Sequence, residues 1–493
     1  MIGDLPDLIA SRAALSPDAV ALEEAATGRT LTYAALDARA ARAAAMLAAR
    51  GIEAGDRVAM LCRQRSAFFE LLLGCAKLGA ILVPLNWRMP AAELDGLIAS
   101  AEPKLLLHDR GDAALVASLA AAPPRIDLDA DYEGALAAAA PIPTRDRWPA
   151  GDAWYLIYTS GTTGRPKGVV YTYRMALANY VNIGAAIGLT AADTSLAFLP
   201  NFHTAGINLH ALPTLFAGGR VILLDSADPG AVIDLIEARR LDTFFAVPTV
   251  YQSLLDHPRF AAAPLASVRH WGCGGAAMPE ALALRCKALG LRVCTGMGMT
   301  ETGPTAFLLD PADAWERMGS VGKPQLLCRA RVVDAEGRPA SDGAVGEIQF
   351  SGPGVTPGYW RDEEATRAAF TADGWLRSGD LGRRDGDGFY WVAGRRKEMF
   401  ISGGENVYPA EVENVLTAFP GVVAAAVLPR PHPKWGEVGR AFVQLAPDRR
   451  PDEAELTAFC RSRLAAYKVP ASFEVVDDFP RTSAGKIQKH LLA

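Results

Sequence analysis

Between residues 150 and 300 short apolar runs alternate with amphipathic stretches, and this rhythm leaves few folds open. Runs at 194–199, 220–224, 243–247 and 292–295 read as strands, and 174–187, 229–240, 248–256 and 279–289 read as helices. Three of those helices open at Pro229, Pro248 and Pro279, which suits a first helical turn, where the missing N–H would have no partner anyway. Such alternation predicts parallel sheets covered by helices. Residues 30–100 repeat it, with helices over 34–50 and 68–78 and strands over 57–62 and 80–85. From 110 to 150 the chain is rich in alanine and proline and reads as peripheral. After 320 come shorter strands and many glycines, as in Gly346-Glu-Ile-Gln-Phe-Ser-Gly352, which predicts a small β-rich subdomain. Helix and short strand return beyond Pro409. A chain of 493 residues exceeds what one core supports. The expected fold class is α/β, divided into a large domain over 1–394 and a small α+β domain over 395–493, with the break at the charged turn Gly394-Arg-Arg-Lys397.

One loop inside that frame carries chemistry. The apolar run 153–158 leads into Tyr158-Thr-Ser-Gly-Thr-Thr-Gly-Arg-Pro-Lys-Gly-Val169. Glycines let a backbone turn sharply and bring its N–H groups close to a ligand. Along Thr159, Ser160, Gly161, Thr162, Thr163 and Gly164, successive N–H groups and hydroxyls form a concavity for phosphate oxygens, and Lys167 adds a point charge. The spacing is not that of a P-loop, which needs G-x-x-x-x-G-K-[ST]; here Lys167 follows Pro166 and precedes Gly168. A plain surface loop shares this composition, and the lysine at this spacing argues against it.

Composition removes other classes. Net charge is −5 with acids and bases interleaved, so there is no basic stripe for nucleic acid and no polybasic membrane anchor. The first residues lack the build of a signal peptide, no apolar run is long enough to span a bilayer, and the terminal Leu-Leu-Ala is not a peroxisomal tripeptide. A cytoplasmic location is expected. Seven scattered cysteines, with no C-x-x-C pair and no histidine at metal spacing, read as ordinary thiols rather than a zinc site. Ten lysines stand against forty arginines, and Lys167, Lys397, Lys468 and Lys486 are among those that fall in the motifs described here. The two residues are not equivalent where a compact, mobile ammonium must follow a phosphate or carboxylate.

The 158–169 loop resembles the phosphate-binding signature of the adenylate-forming superfamily, which holds acyl-CoA and aryl-CoA synthetases, adenylation domains of peptide synthetases and beetle luciferases. Further motifs follow in that family's order. Gly296-Met-Gly-Met-Thr-Glu-Thr-Gly303 resembles the aromatic-Gly-x-Thr-Glu signature, with Gly298 in the middle. It implies Thr300 on an α-phosphate oxygen, Glu301 on Mg²⁺, and Met297 against adenine where relatives carry an aromatic ring. Trp375-Leu-Arg-Ser-Gly-Asp-Leu-Gly382 implies Asp380 as acceptor of both ribose hydroxyls, a role that needs an ionised side chain. The run from Gly394 to Glu413 implies Arg395 on ribose or phosphate, Lys397 as the hinge of a mobile C-terminal domain, and Gly403 and Gly404 beside a pantetheine arm. In Pro480-Arg-Thr-Ser-Ala-Gly-Lys-Ile-Gln-Lys489 the resemblance implies that Lys486 bridges the attacking carboxylate and the α-phosphate, with Lys489 as the alternative lysine.

The acid and thiol sides are less sharply marked. Asn201-Phe-His-Thr-Ala-Gly-Ile207 resembles a Phe-His-x-x-Gly stretch beside the acyl tunnel, with His203 where amino-acid-activating relatives carry aspartate. Cys273-Gly-Gly-Ala-Ala-Met278 resembles the stretch beside adenine and substrate, which implies roles for Gly274, Gly275 and Ala276. Small residues there, with Phe245 and Val247, suggest an aromatic acid (benzoate or hydroxycinnamate type) or a medium-chain fatty acid. Trp435 and Lys468 lie in stretches that resemble CoA-bordering segments. The resemblance implies an AMP-forming acid–thiol ligase using ATP, Mg²⁺ and CoA, and a homodimer is common among such relatives. Transfer to a carrier protein, a light-emitting output and a non-catalytic binding role are the competing readings; retention of Lys486, Glu301 and Asp380 speaks against the last.

Overall fold

The structure, a computed structural model, describes residues 3–159, 166–403, 405–447, 449–482 and 485–492. Two large sheets form the bulk of the first 310 residues. In one, parallel strands Ala153–Thr159, Ile81–Pro84, Arg57–Leu61, Leu105–His108 and Arg125–Asp127 run side by side, and Lys167–Thr172 is added antiparallel at the edge. In the other, Val20–Glu24, Arg220–Leu223, Thr194–Ala197, Thr243–Ala246, His270–Cys273 and Val293–Met299 are parallel, with antiparallel strands at both edges. The expected α/β class is met, and most expected strands and helices lie within a few residues of their predicted ends. The strand expected at 292–295 runs on to Met299, because its far half pairs with Gly303–Leu308.

Between the two sheets lie helices Tyr33–Ala48 and Ser66–Leu78. The second is buried on almost every face, as a helix packed from both sides must be. Its two buried charges are both paired, as burial demands. Glu70 meets Arg39 at 2.6 Å and accepts from the Tyr132 hydroxyl at 3.0 Å, and Lys77 meets Asp7 and Asp37 at 2.6 Å each.

The stretch from 110 to 150 is not peripheral. Tyr132, Leu136 and Trp148 belong to the main core, and the Trp148 ring stacks 5.2 Å from Tyr173, whose other neighbour is Trp154 at 5.1 Å. A few large side chains set among alanines were enough to fold the segment inward.

Beyond 320, strands Arg329–Val333, Gly346–Ser351, Leu376–Arg384 and Tyr390–Arg395 form an antiparallel sheet over a core of Phe307, Ile348, Phe350 and Tyr390. The next sheet begins at Phe400, with Phe400–Ser402, Glu405–Val407, Val422–His432, Gly436–Leu445 and Ser472–Val476 around a separate core. Between Arg395 and Phe400 the chain makes one tight turn, in which the Glu398 and Met399 amides both donate to the Arg395 carbonyl. Among the described residues no helix is long and apolar enough to cross a membrane.

Candidate active site

The loop with the phosphate-binding pattern joins two antiparallel strands that pair Thr159 with Lys167. Ser160, Gly161, Thr162, Thr163 and Gly164 lie outside the described residues; the strands that carry them are firmly held. Tyr155 and Tyr171 face each other across the pair with rings stacked 4.7 Å apart. Their hydroxyls reach the short helix Thr204–Asn208: Tyr155 donates to Asn208 Oδ1 at 2.7 Å, and Tyr171 bonds Thr204 Oγ1 at 2.9 Å. Asn179 donates to the Asn208 carbonyl and accepts from Thr305 at 2.9 Å. One buried polar network thus ties the hairpin strands 153–159 and 167–172, the helix that follows His203, and the strand that follows Thr300-Glu301. In a low-dielectric interior such fully bonded groups rigidify one another.

Thr300 and Glu301 occupy the turn between Val293–Met299 and Gly303–Leu308. Glu301 is buried, and its Oε1 accepts from the Tyr359 hydroxyl at 2.9 Å. Lys167 Nζ stands 5.1 Å over the centre of the Tyr359 ring, in a cation–π geometry. Tyr359 therefore connects Lys167 to Glu301. No sequence motif pointed to it; the aromatic pair Tyr359-Trp360 after Gly358 was the only signal. Gly298 has no room for a side chain, since a Cβ would fall 2.3–2.4 Å from the Gly303 and Pro304 backbone. Met297 packs partly on the core of the β-rich sheet.

Asp380 and Arg395 sit opposite each other on neighbouring strands, with Arg395 Nε 2.6 Å from Asp380 Oδ1. Burial pushes the Asp380 carboxyl above the usual range, against the pull of Arg395 and Lys486 and with a further push from Glu301 and Glu398. Lys486 reaches this group from the far end of the chain. Its ammonium is held below the ordinary lysine range, first by loss of hydration and then by Arg395, against the pull of Asp380 and Glu398. The same ammonium acts on His203, whose imidazole is held neutral, down to about 4, by burial, Lys486 and Arg88. Lys486 thus stands within electrostatic reach of Asp380 and of His203 together. Its loop rests on the large domain, where a Cβ on Gly485 would touch Thr249 Oγ1 at 3.6 Å.

Lys489 is engaged elsewhere, with ion pairs of 2.8 Å to both Glu398 and Glu413. Lys486 makes no ion pair among the described residues.

Gly274, Gly275 and Ala276 follow the strand His270–Cys273, with Gly274 buried and the next two exposed. Gly274 lies against the Phe245 ring and the Gly296 carbonyl. Gly206 is as constrained as Gly298: a Cβ would fall 2.2 Å from the Pro200 carbonyl oxygen, which is why the stretch after His203 carries glycine there. On the small domain the Gly403 amide donates to the Trp435 carbonyl at 2.8 Å beneath the half-exposed Trp435 ring. Gly404 lies outside the described residues. Lys468 is ion-paired to Glu411 at 2.7 Å, and Lys397 is exposed in the turn between the last two sheets.

A family profile described as "AMP-binding enzyme" matches residues 9–360, and one described as "AMP-binding enzyme C-terminal domain" matches 411–486. The chain belongs to the AMP-binding enzyme family. As the motifs implied, it is an AMP-forming ligase of the adenylate-forming superfamily. It is 45% identical to a feruloyl-CoA synthase of an Amycolatopsis species, over 97% of this chain and 96% of that protein. It is 36% identical to an indoleacetate–CoA ligase of Aromatoleum aromaticum, over 99% of this chain and 97% of that one. Among solved structures, the ATP-bound MatB from Rhodopseudomonas palustris superposes with a TM-score of 0.91 at 35% identity, covering 99% of this chain and 98% of the other. Charged groups from the two parts of the chain act on one another: Glu301 and Asp380 from one side, Lys486 from the other.

Proposed function

We propose that this chain joins an aromatic carboxylic acid, of the hydroxycinnamate type, to coenzyme A by way of an acyl-adenylate. The observation that carries this reading is the setting of Lys486, an ammonium without an ion pair among the described residues, near enough to Asp380, Arg395 and His203 to couple electrostatically with all three. Two anions, a carboxylate and the α-phosphate of ATP, must approach each other in the first step. A preorganised cation between them stabilises the charge that gathers as they meet. Asp380 accepts the ribose hydroxyls, Thr159 through Lys167 cradle the outer phosphates, and Thr300 holds an α-phosphate oxygen. A neutral His203 walls the acid without attracting a second charge. Full-length similarity to ligases of aromatic acids, together with small residues at 274–277, favours a flat acid over a medium-chain fatty acid.

The residues present fit Mg²⁺. One oxygen of Glu301 is occupied by Tyr359, the other has no partner among the described residues, and no cluster of three or more ligating side chains is present among them. Magnesium suits such a site because it is held by one or two carboxylates, substrate phosphates and water rather than by an all-protein cage. When bound it offsets phosphate charge; Glu301 holds it and Tyr359 fixes the rotamer of Glu301.

For the second step we take residues 395–493 as the mobile unit, hinged at Lys397. Rotation withdraws Lys486 and brings Gly403, Gly404, Trp435 and Lys468 to the thiol. The test is AMP release from ATP and Mg²⁺, with and without CoA, over benzoates, hydroxycinnamates and C4 to C12 fatty acids. AMP with thioester from the aromatic acids, lost in Lys486→Ala, is the expected result. Pyrophosphate release with no thioester on CoA would transfer the second step to a carrier protein.

A further inference from the structure

A narrow cleft opens beside the helix that follows His203, lined by Leu196, Ala197, Ala205, Gly206, Phe245 and His210. Apart from His210, every side chain that lines it is apolar. His210 is 4% exposed, and neither ring nitrogen has a hydrogen-bond partner among the described residues. Buried polar groups in folded proteins are almost always bonded, and an exception asks for an explanation. The residues of the cleft adjoin two stretches of the candidate site. Ala205 and Gly206 lie two and three residues beyond His203, and the Phe245 ring touches the position of Gly274 at one end and meets His210 edge-on at 6.2 Å. His210 lies seven positions beyond His203, roughly 10 Å at helical rise.

We infer that this cleft is the blind end of the acid site, and that His210 reads a hydroxyl on the distal edge of the aromatic acid. This rests on the ligase reading above and names the group its substrate carries. A neutral imidazole donates from one nitrogen and accepts at the other, which matches an O–H that can do both. Burial and the neighbouring His270 hold the His210 imidazole neutral, down to about 3. No Lys, Arg, Asp or Glu lines the cleft among the described residues, so a second carboxylate would find no countercharge. A purely hydrocarbon tail would leave both nitrogens of His210 unpaired. His210 is thus a specificity-determining residue, apart from the groups that carry the chemistry.

The test compares cinnamate with 4-hydroxycinnamate, a pair that differs only in the ring hydroxyl, by kcat/KM for CoA-dependent AMP formation. The unmodified enzyme should favour the hydroxylated acid roughly ten- to a hundredfold, because the other acid leaves a buried donor and acceptor unmet. His210→Leu should bring the ratio close to one by losing rate on the hydroxylated acid, with the KM for ATP unchanged. His210→Gln, which keeps a donor and an acceptor, should retain part of the preference and serves if the leucine variant does not fold. A wild-type ratio within twofold, or a leucine variant that keeps the wild-type ratio, overturns the inference. If neither acid yields AMP, the hydroxycinnamate reading fails; calorimetric binding of the same two acids to the unmodified protein then decides this inference separately, and equal affinities overturn it.

Discussion

Two lysines three residues apart have opposite fates. Lys489 is enclosed by Glu398 and Glu413, which raise its pKa above the ordinary range against the opposing effect of burial; Lys486 is left to face the site. Lys486→Ala should lower the rate of adenylate formation by a hundredfold or more, about what one lost oxyanion-type contact costs, with the melting temperature little changed. Lys489→Ala should instead loosen the small domain, seen as a lower melting temperature, and reduce the rate less. The pH profile follows from the same surroundings. The cation on Lys486 is present below its pKa, and that pKa is depressed, so kcat/KM should fall on the alkaline side before the ordinary lysine range is reached. The Asp380 carboxyl is raised, so the acid limb should begin above the ordinary aspartate range. Lys486→Arg, whose guanidinium does not deprotonate in this range, should remove the alkaline limb from whatever activity remains. An alkaline limb unmoved by that change would place the titrating group elsewhere.

The elements around the site depend on two close approaches and one polar network. Gly206→Ala would drive a Cβ into the Pro200 carbonyl, so the helix Thr204–Asn208 must shift, and loss of acid activation should exceed loss of ATP affinity. Asn208→Leu would strand the Tyr155 hydroxyl, which donates to Asn208 Oδ1, and remove the Asn208 amide that donates to Thr204 Oγ1. Each unmet buried group costs about 1–3 kcal/mol, so a lower unfolding midpoint in urea is the expected result. Elements of this kind were legible in the sequence where period and punctuation agreed. Pro229 and Pro248 start helices as expected, and Asp228 caps the first by accepting from the Ala231 amide at 2.8 Å. The misplaced segment was 110–150, whose alanines hid the anchors Tyr132 and Trp148. Tyr359 was equally hidden, because its link between Lys167 and Glu301 exists only once distant strands meet: the Trp360 amide donates to the Gly168 carbonyl and the Val170 amide to the Gly358 carbonyl.

At the scale of the whole molecule, one tight turn separates two bodies with separate cores, and Lys397 sits in it. Fixing that turn should split the reaction in two. Lys397→Pro, which locks φ and removes an N–H, is expected to leave adenylate formation near normal and to slow thioester formation tenfold or more; equal loss in both steps would argue against rotation about this point. The helix Thr204–Asn208 has a further consequence. One side of it is bound to the nucleotide hairpin through Tyr155 and Tyr171, while Ala205 and Gly206 line the cleft that leads to His210. Lineages that change their diet can therefore redraw the far wall of that cleft, at positions such as Ala197, Phe245 and His210, without retuning how the protein grips ATP. The same separation gives protein engineers a short, bounded set of positions for new acids.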